Sequence, residues 1–257
     1  MNGITVSRAR SSLAARWRVW RRPRAHLIHI PKTGGTSLKA VLRPLANAGP
    51  YELVFHHHHV RLENIPEGDK VYFVVRDPVA RFVSGFNQRL RQGQPHFDNP
   101  WKPDEKIAFE FFSTPNALAE ALSSLDAQTY HRALWSMSVI IHLRDPYWHW
   151  FRNRDYMRKR AGDLLTIHWL PDLEDTFPLL VEQLGLPSET KLPSDHMASN
   201  KTPGRYDDTL SPVARFNLDR WYARDWSFVD YCSEFECFAG PSFTPDTLPS
   251  VLRPTVV

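Results

Sequence analysis

The stretch from His26 to Leu42, His-Leu-Ile-His-Ile-Pro-Lys-Thr-Gly-Gly-Thr-Ser-Leu-Lys-Ala-Val-Leu, constrains the fold more than any other part of the chain. Leu27, Ile28 and Ile30 read as a short buried strand, which Pro31 ends because proline has no N–H to offer a sheet. Gly34 and Gly35 permit positive φ and let an anion approach the backbone closely. Thr36 and Ser37 then open a helix with hydroxyl donors, where the first N–H groups have no internal partner. Such a helix start, with its free N–H groups and positive dipole end, binds phosphate. Lys32 adds a mobile charge at the mouth. The sequence therefore predicts a phosphate cradle built from Lys32, Thr33, Gly34, Gly35, Thr36 and Ser37.

The cradle departs from the nucleotide-triphosphate loop, in which the lysine follows the glycines as Gly-x-x-x-x-Gly-Lys-Ser/Thr. Here the lysine precedes them. A second signal is Arg76-Asp77-Pro78, which follows the apolar run Val71–Val75. That run reads as a buried parallel strand with Arg76 at its carboxyl end, where ligands gather in open α/β sheets. Asp77 and Pro78 read as N-cap and first residue of a helix extending to about Arg91. An arginine so placed offers bidentate donors to phosphate, and Ser84 can add a hydroxyl from the helix. A second Arg-Asp-Pro at Arg144–Pro146 has Arg152 where the first copy has Ser84, and it reads as coincidence.

Lysine-first Pro-Lys-Thr-Gly-Gly-Thr-Ser resembles the 5′-phosphosulfate loop of sulfotransferases that use 3′-phosphoadenylyl sulfate (PAPS). Arg76 with Ser84 eight residues later resembles the 3′-phosphate site of the same family. The resemblance covers about residues 26–91 at motif level. It implies a three-layer α/β/α fold with a central, mainly parallel sheet, and a transferase that moves sulfuryl from PAPS to a hydroxyl, leaves 3′,5′-ADP (PAP) and needs no metal. In this reading Lys32 also stabilises charge on the bridging oxygen, and Lys201 belongs to a polar loop, Ser199–Arg205, that closes over the cofactor.

The run His56-His57-His58-His59 stands between the two signals. Histidine suits a general base at neutral pH. Phe55–Val60 resembles the His-x-His-Val stretch of 2-O-sulfotransferases acting on uronic acids, which assigns the base to His59 with His57 as companion. Alternation along an extended segment puts both on one face. His58 replaces the usual glycine between them. Glu63 is the alternative base, and a metal site or a solvated turn are the competing readings of the run. A carbohydrate or glycolipid is the acceptor that the resemblance implies. An atypical P-loop kinase using Mg-ATP and an inactive nucleotide- or glycan-binding module remain as alternatives.

Charge bears on the partners. The chain of 257 residues has a formal net charge of +4, but residues 1–24 hold seven arginines and no acid, which leaves −3 for the rest. The basicity belongs to the tail, so the body does not read as a nucleic-acid binder. The tail reads as a disordered extension, a transit-like segment, or a basic helix resting on an anionic membrane through residues 8–24. With only Cys232 and Cys237 and no membrane-spanning apolar run, a reducing, cytoplasmic setting is expected. The domain is expected over 25–240, with a C-terminal tail over 241–257. The sequence also predicts helices over much of 105–142, a strand over 163–169, a helix over 173–185 and a last helix over 211–224. Trp101 and the aromatic cluster Tyr147–Phe151 read as core or as stacking surfaces for sugar rings.

Overall fold

A computed structural model describes residues 22–95, 98–192, 208–243 and 249. Among the described residues the fold is α/β. Its sheet has five strands, β1 (Arg24–Leu27), β2 (Glu52–Phe55), β3 (Lys70–Val75), β4 (Leu164–Trp169) and β5 (Phe238–Ala239), in the order β2-β1-β3-β4-β5. Every neighbouring pair is parallel. The chain leaves β1 for one side of the sheet and returns at β3 on the other. This reversal is the switch point outside whose carboxyl ends ligands bind in open α/β sheets.

The central strand explains the layering. Lys70–Val75 is buried along nearly its whole length, as a strand covered on both faces must be. Val71, Phe73 and Val75 face one core with Trp150, Phe151, Phe228 and Val229, contributed by α6 (Trp148–Phe151) and α10 (Ala223–Ser233). Tyr72 and Val74 face the other, with Leu38 and Leu42 of α1 (Gly35–Leu42) and Phe177 and Leu180 of α8 (Leu173–Gln183). A third core joins α2 (Pro78–Leu90), α3 (Pro103–Phe111), α4 (Pro115–Ala121), α5 (Ala127–Val139) and α9 (Pro212–Trp221). The short α7 (Arg154–Lys159) precedes β4. No helix among the described residues is long and apolar enough to cross a membrane.

Several boundaries differ from the sequence reading. Strand β1 starts at Arg24, inside the expected extension, where Arg24 Nε lies 2.9 Å from Glu52 Oε2. It ends at Leu27, and Ile28 adds one further backbone bond to Tyr72 at 3.1 Å. The expected last helix is two helices that meet at Tyr222. Beyond them β5 adds a strand at the sheet edge, and Phe243 of the expected tail packs on Trp169 with ring centroids 5.3 Å apart. The aromatic cluster is mainly core: Tyr147, Trp150 and Phe151 are buried. Trp101 donates its indole N–H to Arg89 O at 2.7 Å and stacks on Phe109. Both cysteines are free.

Candidate active site

The loop after β1 is held from below. Buried Arg81 of α2 donates to Pro31 O at 3.3 Å and Asp145 O at 2.8 Å, with its guanidinium 4.7 Å from the centre of the Tyr147 ring. Thr33 is buried and donates through Oγ1 to Ile30 O at 3.0 Å. Its hydroxyl therefore braces the loop from inside. Lys32 itself has φ of 68°, and Gly34 follows with φ of 84°.

The two glycines do different work, which corrects the expectation that both serve positive φ. Only Gly34 is left-handed, and it caps α1 with no side-chain bond. Gly35 is required by a neighbour, since a Cβ there would lie 2.2 Å from His29 Cδ2. Thr36 and Ser37 accordingly fall within the first turn of α1.

The loop after β3 is as well fixed. Asp77 caps α2 through Oδ1, which accepts from Val79 N at 2.7 Å and Ala80 N at 2.9 Å. Arg76 N donates to Tyr147 Oη at 3.0 Å, and that hydroxyl donates back to Arg76 O at 2.8 Å. The Arg76 guanidinium then turns to the neighbouring loop, with Nη1 3.3 Å from Lys32 O. Neither Lys32 nor Arg76 makes an ion pair among the described residues. Burial, then Arg91 and Arg76, push the Lys32 amine down to about 8. A cation so placed gains from a bound anion.

Both loops open on one cleft of about 1270 Å³. Lys32, Gly34, Gly35, Thr36, Ser37, Arg76 and Ser84 all line it, so the two predicted phosphate sites share one space. The walls carry six cationic side chains, Lys32, Lys39, Arg43, Arg76, Arg91 and Arg215, against two carboxylates, Asp98 and Asp208. A body that is slightly acidic overall thus concentrates positive charge at one place, which favours anionic ligands. Lys201 and the Ser199–Arg205 loop lie outside the described residues.

The histidine run splits by direction. His56 Nε2 meets His26 Nδ1 at 2.8 Å, and His26 Nε2 lies 3.1 Å from Asp69 Oδ2. His58 Nδ1 is 2.9 Å from His29 O, and Trp150 donates its indole N–H to His58 O at 2.6 Å. His57 and His59 turn out together, their rings nearly parallel with centroids 6.1 Å apart, but on a turn at His58–His59, closed by Val60 N donating to His57 O at 3.3 Å, where an extended segment was expected. His57 and His58 line the cleft, whereas His59 is exposed and does not. Glu63 is exposed, pairs with Arg61 at 3.5 Å and stands away from the cleft. No group of three or more metal-ligating side chains that could hold an ion is found among the described residues.

With this geometry in hand, comparison with known families is informative: the sequence model of the sulfotransferase family matches residues 17–231. The chain belongs to the sulfotransferase family. No curated protein and no solved structure matches it. The family match begins before β1 and takes in both loops, the histidine run and nearly all of α10.

Within this sulfotransferase, several cleft residues escaped the sequence reading. Gln88 and Arg91 stand four and seven positions after Ser84, one helical face, and Arg43 stands seven after Thr36. Helical spacing from the two motifs would have found them. The same spacing marks Lys39, three after Thr36, whereas His29 and His142 leave no such mark. Lys39 Nζ lies 2.7 Å from His29 Nδ1 and donates to His56 O at 2.5 Å, a set that only the fold assembles.

Proposed function

We propose that this protein transfers the sulfuryl group of PAPS to a hydroxyl of a carbohydrate or glycolipid, with a histidine as base and no metal. The observation that carries the reading is the Lys32–Arg76 junction: the loops after two adjacent parallel strands, 3.3 Å apart at Nη1 and O, meet over one cation-rich cleft. A phosphosulfate and a ribose 3′-phosphate are two anionic groups on one small molecule, and a triphosphate has no use for the second site.

The residues present fit that donor. The backbone around Gly34 and Gly35, with Thr36 and Ser37, offers donors at the start of α1, where the helix dipole favours negative charge. Lys32 neutralises the phosphosulfate and then holds the charge that grows on the bridging oxygen, a contact typically worth about 10²–10³ in rate. Arg76 and Ser84 receive the 3′-phosphate from the strand end and from α2. At about 1270 Å³ the cleft exceeds the roughly 300–1,000 Å³ of a usual small-ligand pocket, leaving room for an acceptor beside the donor.

The proton of the acceptor hydroxyl goes to the histidine run. The resemblance to uronic-acid 2-O-sulfotransferases names His59 with His57, and His57 supplies the member that lines the cleft. Losing a general base costs about 10²–10⁴ in rate.

The test is incorporation of label from radiolabelled PAPS into a panel of glycans and glycolipids, run with and without a chelator. Incorporation that survives chelation and is lost in Lys32→Ala supports the reading. Incorporation that needs added magnesium, or label from ATP in its place, contradicts it.

A further inference from the structure

His142 stands in the turn after α5, at the end of a stretch that reads from sequence as helix. Its backbone φ is 77°, in the left-handed region that a non-glycine residue seldom occupies. Strain of this kind persists where the surroundings over-determine it, and here they do. Ile141 N donates to Glu105 Oε1 at 3.0 Å, and Glu105 is itself held by buried Arg89 at 2.7 and 2.5 Å. On the other side Tyr222 Oη donates to Leu143 O at 3.2 Å. Gly85 of α2 lets the turn come close, since a Cβ there would lie 3.3 Å from His142 Cβ.

The clamp presents one side chain to the cleft. His142 lines it together with Lys32 and His58, and its ring meets that of His58 edge-on at 5.7 Å. Its Nδ1 is buried and has no hydrogen-bond partner among the described residues. A buried polar atom without a partner is costly, and a small turn of the ring toward a ligand in this cleft would relieve it.

We propose that His142 is a catalytic residue that donates a ring N–H hydrogen bond to a non-bridging sulfuryl oxygen beside Lys32. The inference rests on the PAPS reading above. Burial, with the charges of Lys32, His58, Arg89 and Arg81 around it, holds the imidazole well below its usual pKa, so it stays neutral. A neutral imidazole carries one N–H and one lone pair, and the surrounding cations oppose its taking a second proton. His142 therefore serves as a donor and the base lies elsewhere. In the transfer the acceptor oxygen bonds to sulfur while the bond from sulfur to the bridging phosphate oxygen breaks. The electron pair of the broken bond leaves on the 5′-phosphate of PAP, and the acceptor proton goes to the histidine run. His142 gains and loses no proton. Its N–H follows the sulfuryl oxygens as they pass from donor to acceptor.

Two variants test this. His142→Gly takes the positive φ without cost and removes the ring. His142→Asn tolerates the same backbone and keeps an N–H donor. Turnover is read as sulfate released from radiolabelled PAPS with water as acceptor, and donor binding as calorimetric titration with PAP, which lacks the sulfuryl group. The expected result is a kcat about 10²–10³-fold lower in His142→Gly, with PAP affinity and the acid limb of the pH–rate profile unchanged. Added imidazole restores part of the rate, and His142→Asn keeps most of it. Wild-type turnover in His142→Gly overturns the proposal, as does loss of PAP affinity in step with turnover, or loss of the acid limb. If the wild-type protein itself does not bind PAP, the PAPS reading falls as well, whereas normal PAP binding with normal His142→Gly turnover removes this inference alone.

Discussion

The His29 ring occupies the space that a side chain on Gly35 would need, with Cδ2 2.2 Å from the position of a Cβ. The first glycine of the pair serves the turn and the second serves this histidine. His29 in turn meets Lys39 Nζ at 2.7 Å and rests its ring 4.2 Å from that of His58. The glycine thus lets His29 pack between α1 and the histidine run.

Gly35→Ala should therefore cost about 1–3 kcal/mol, the usual range for overpacking a filled site, and should displace His29 and Lys39 together. Thermal melting of the variant measures the first effect and PAP titration the second. A variant that melts and binds like the wild type would show that the ring moves aside freely.

The Arg89–Glu105 pair is buried at both side chains, with Nη2 2.5 Å from Oε2. Removing one member of a buried pair strands the other charge and typically costs about 3–5 kcal/mol. Arg89→Met should lose that much stability in urea denaturation, and it should also slow turnover, because Glu105 holds the Ile141–Leu143 turn. Replacing both residues with apolar partners should recover only part of that stability, because Ile141 N, Lys102 N, Asn99 O and Pro100 O lose their partners, and should leave turnover slow.

Stability should fall in mild acid. Burial lowers His29 to about 2 and His56 and His168 to about 4, each from an ordinary 6.5. Between those values and 6.5 the unfolded chain binds more protons than the folded one, so unfolding free energy rises with pH across that window. Melting temperature should drop as pH goes from 7 to 5, and His168→Gln should flatten the slope. A pH-independent melt over that range would contradict the burial of these rings.

Donor binding should take up protons. Lys32 sits at about 8 because of burial and its neighbours Arg91 and Arg76, and a bound phosphate raises it again. PAP titrated at pH 8.5 in buffers of different ionisation enthalpy should show proton uptake, and affinity should fall as pH climbs through 8. Lys32→Ala should weaken binding and abolish the linkage.

The parts of this account that were legible in the sequence are those carried by local chemistry. Pro31-Lys32-Thr33-Gly34-Gly35 and Arg76-Asp77-Pro78 set strand ends and helix starts through rules acting over a few residues, and both loops lie where those rules put them. The parallel sheet followed from an apolar strand such as Val71–Val75, buried on both faces. What was not legible depends on distant packing. The role of Gly35 requires the His29 ring, the turn at His142 requires Glu105 and Tyr222, and Tyr147 reaches Arg76 across 71 positions. Strand β5 has two residues, too few for any periodicity to mark. The identical residues of the histidine run gave no hint that the chain turns at His58 and His59, or that 56 and 58 would face His26 and His29.

The central claim is that the Lys32 and Arg76 loops together read a nucleotide bearing both a 5′- and a 3′-phosphate. Calorimetric titration of the protein with PAP, beside ADP and ATP with and without magnesium, tests it most directly. The account predicts metal-independent PAP binding, much weaker ADP binding, and loss of that preference in Arg76→Ala. Equal affinity for PAP and ADP, or a preference for magnesium-ATP, would contradict it.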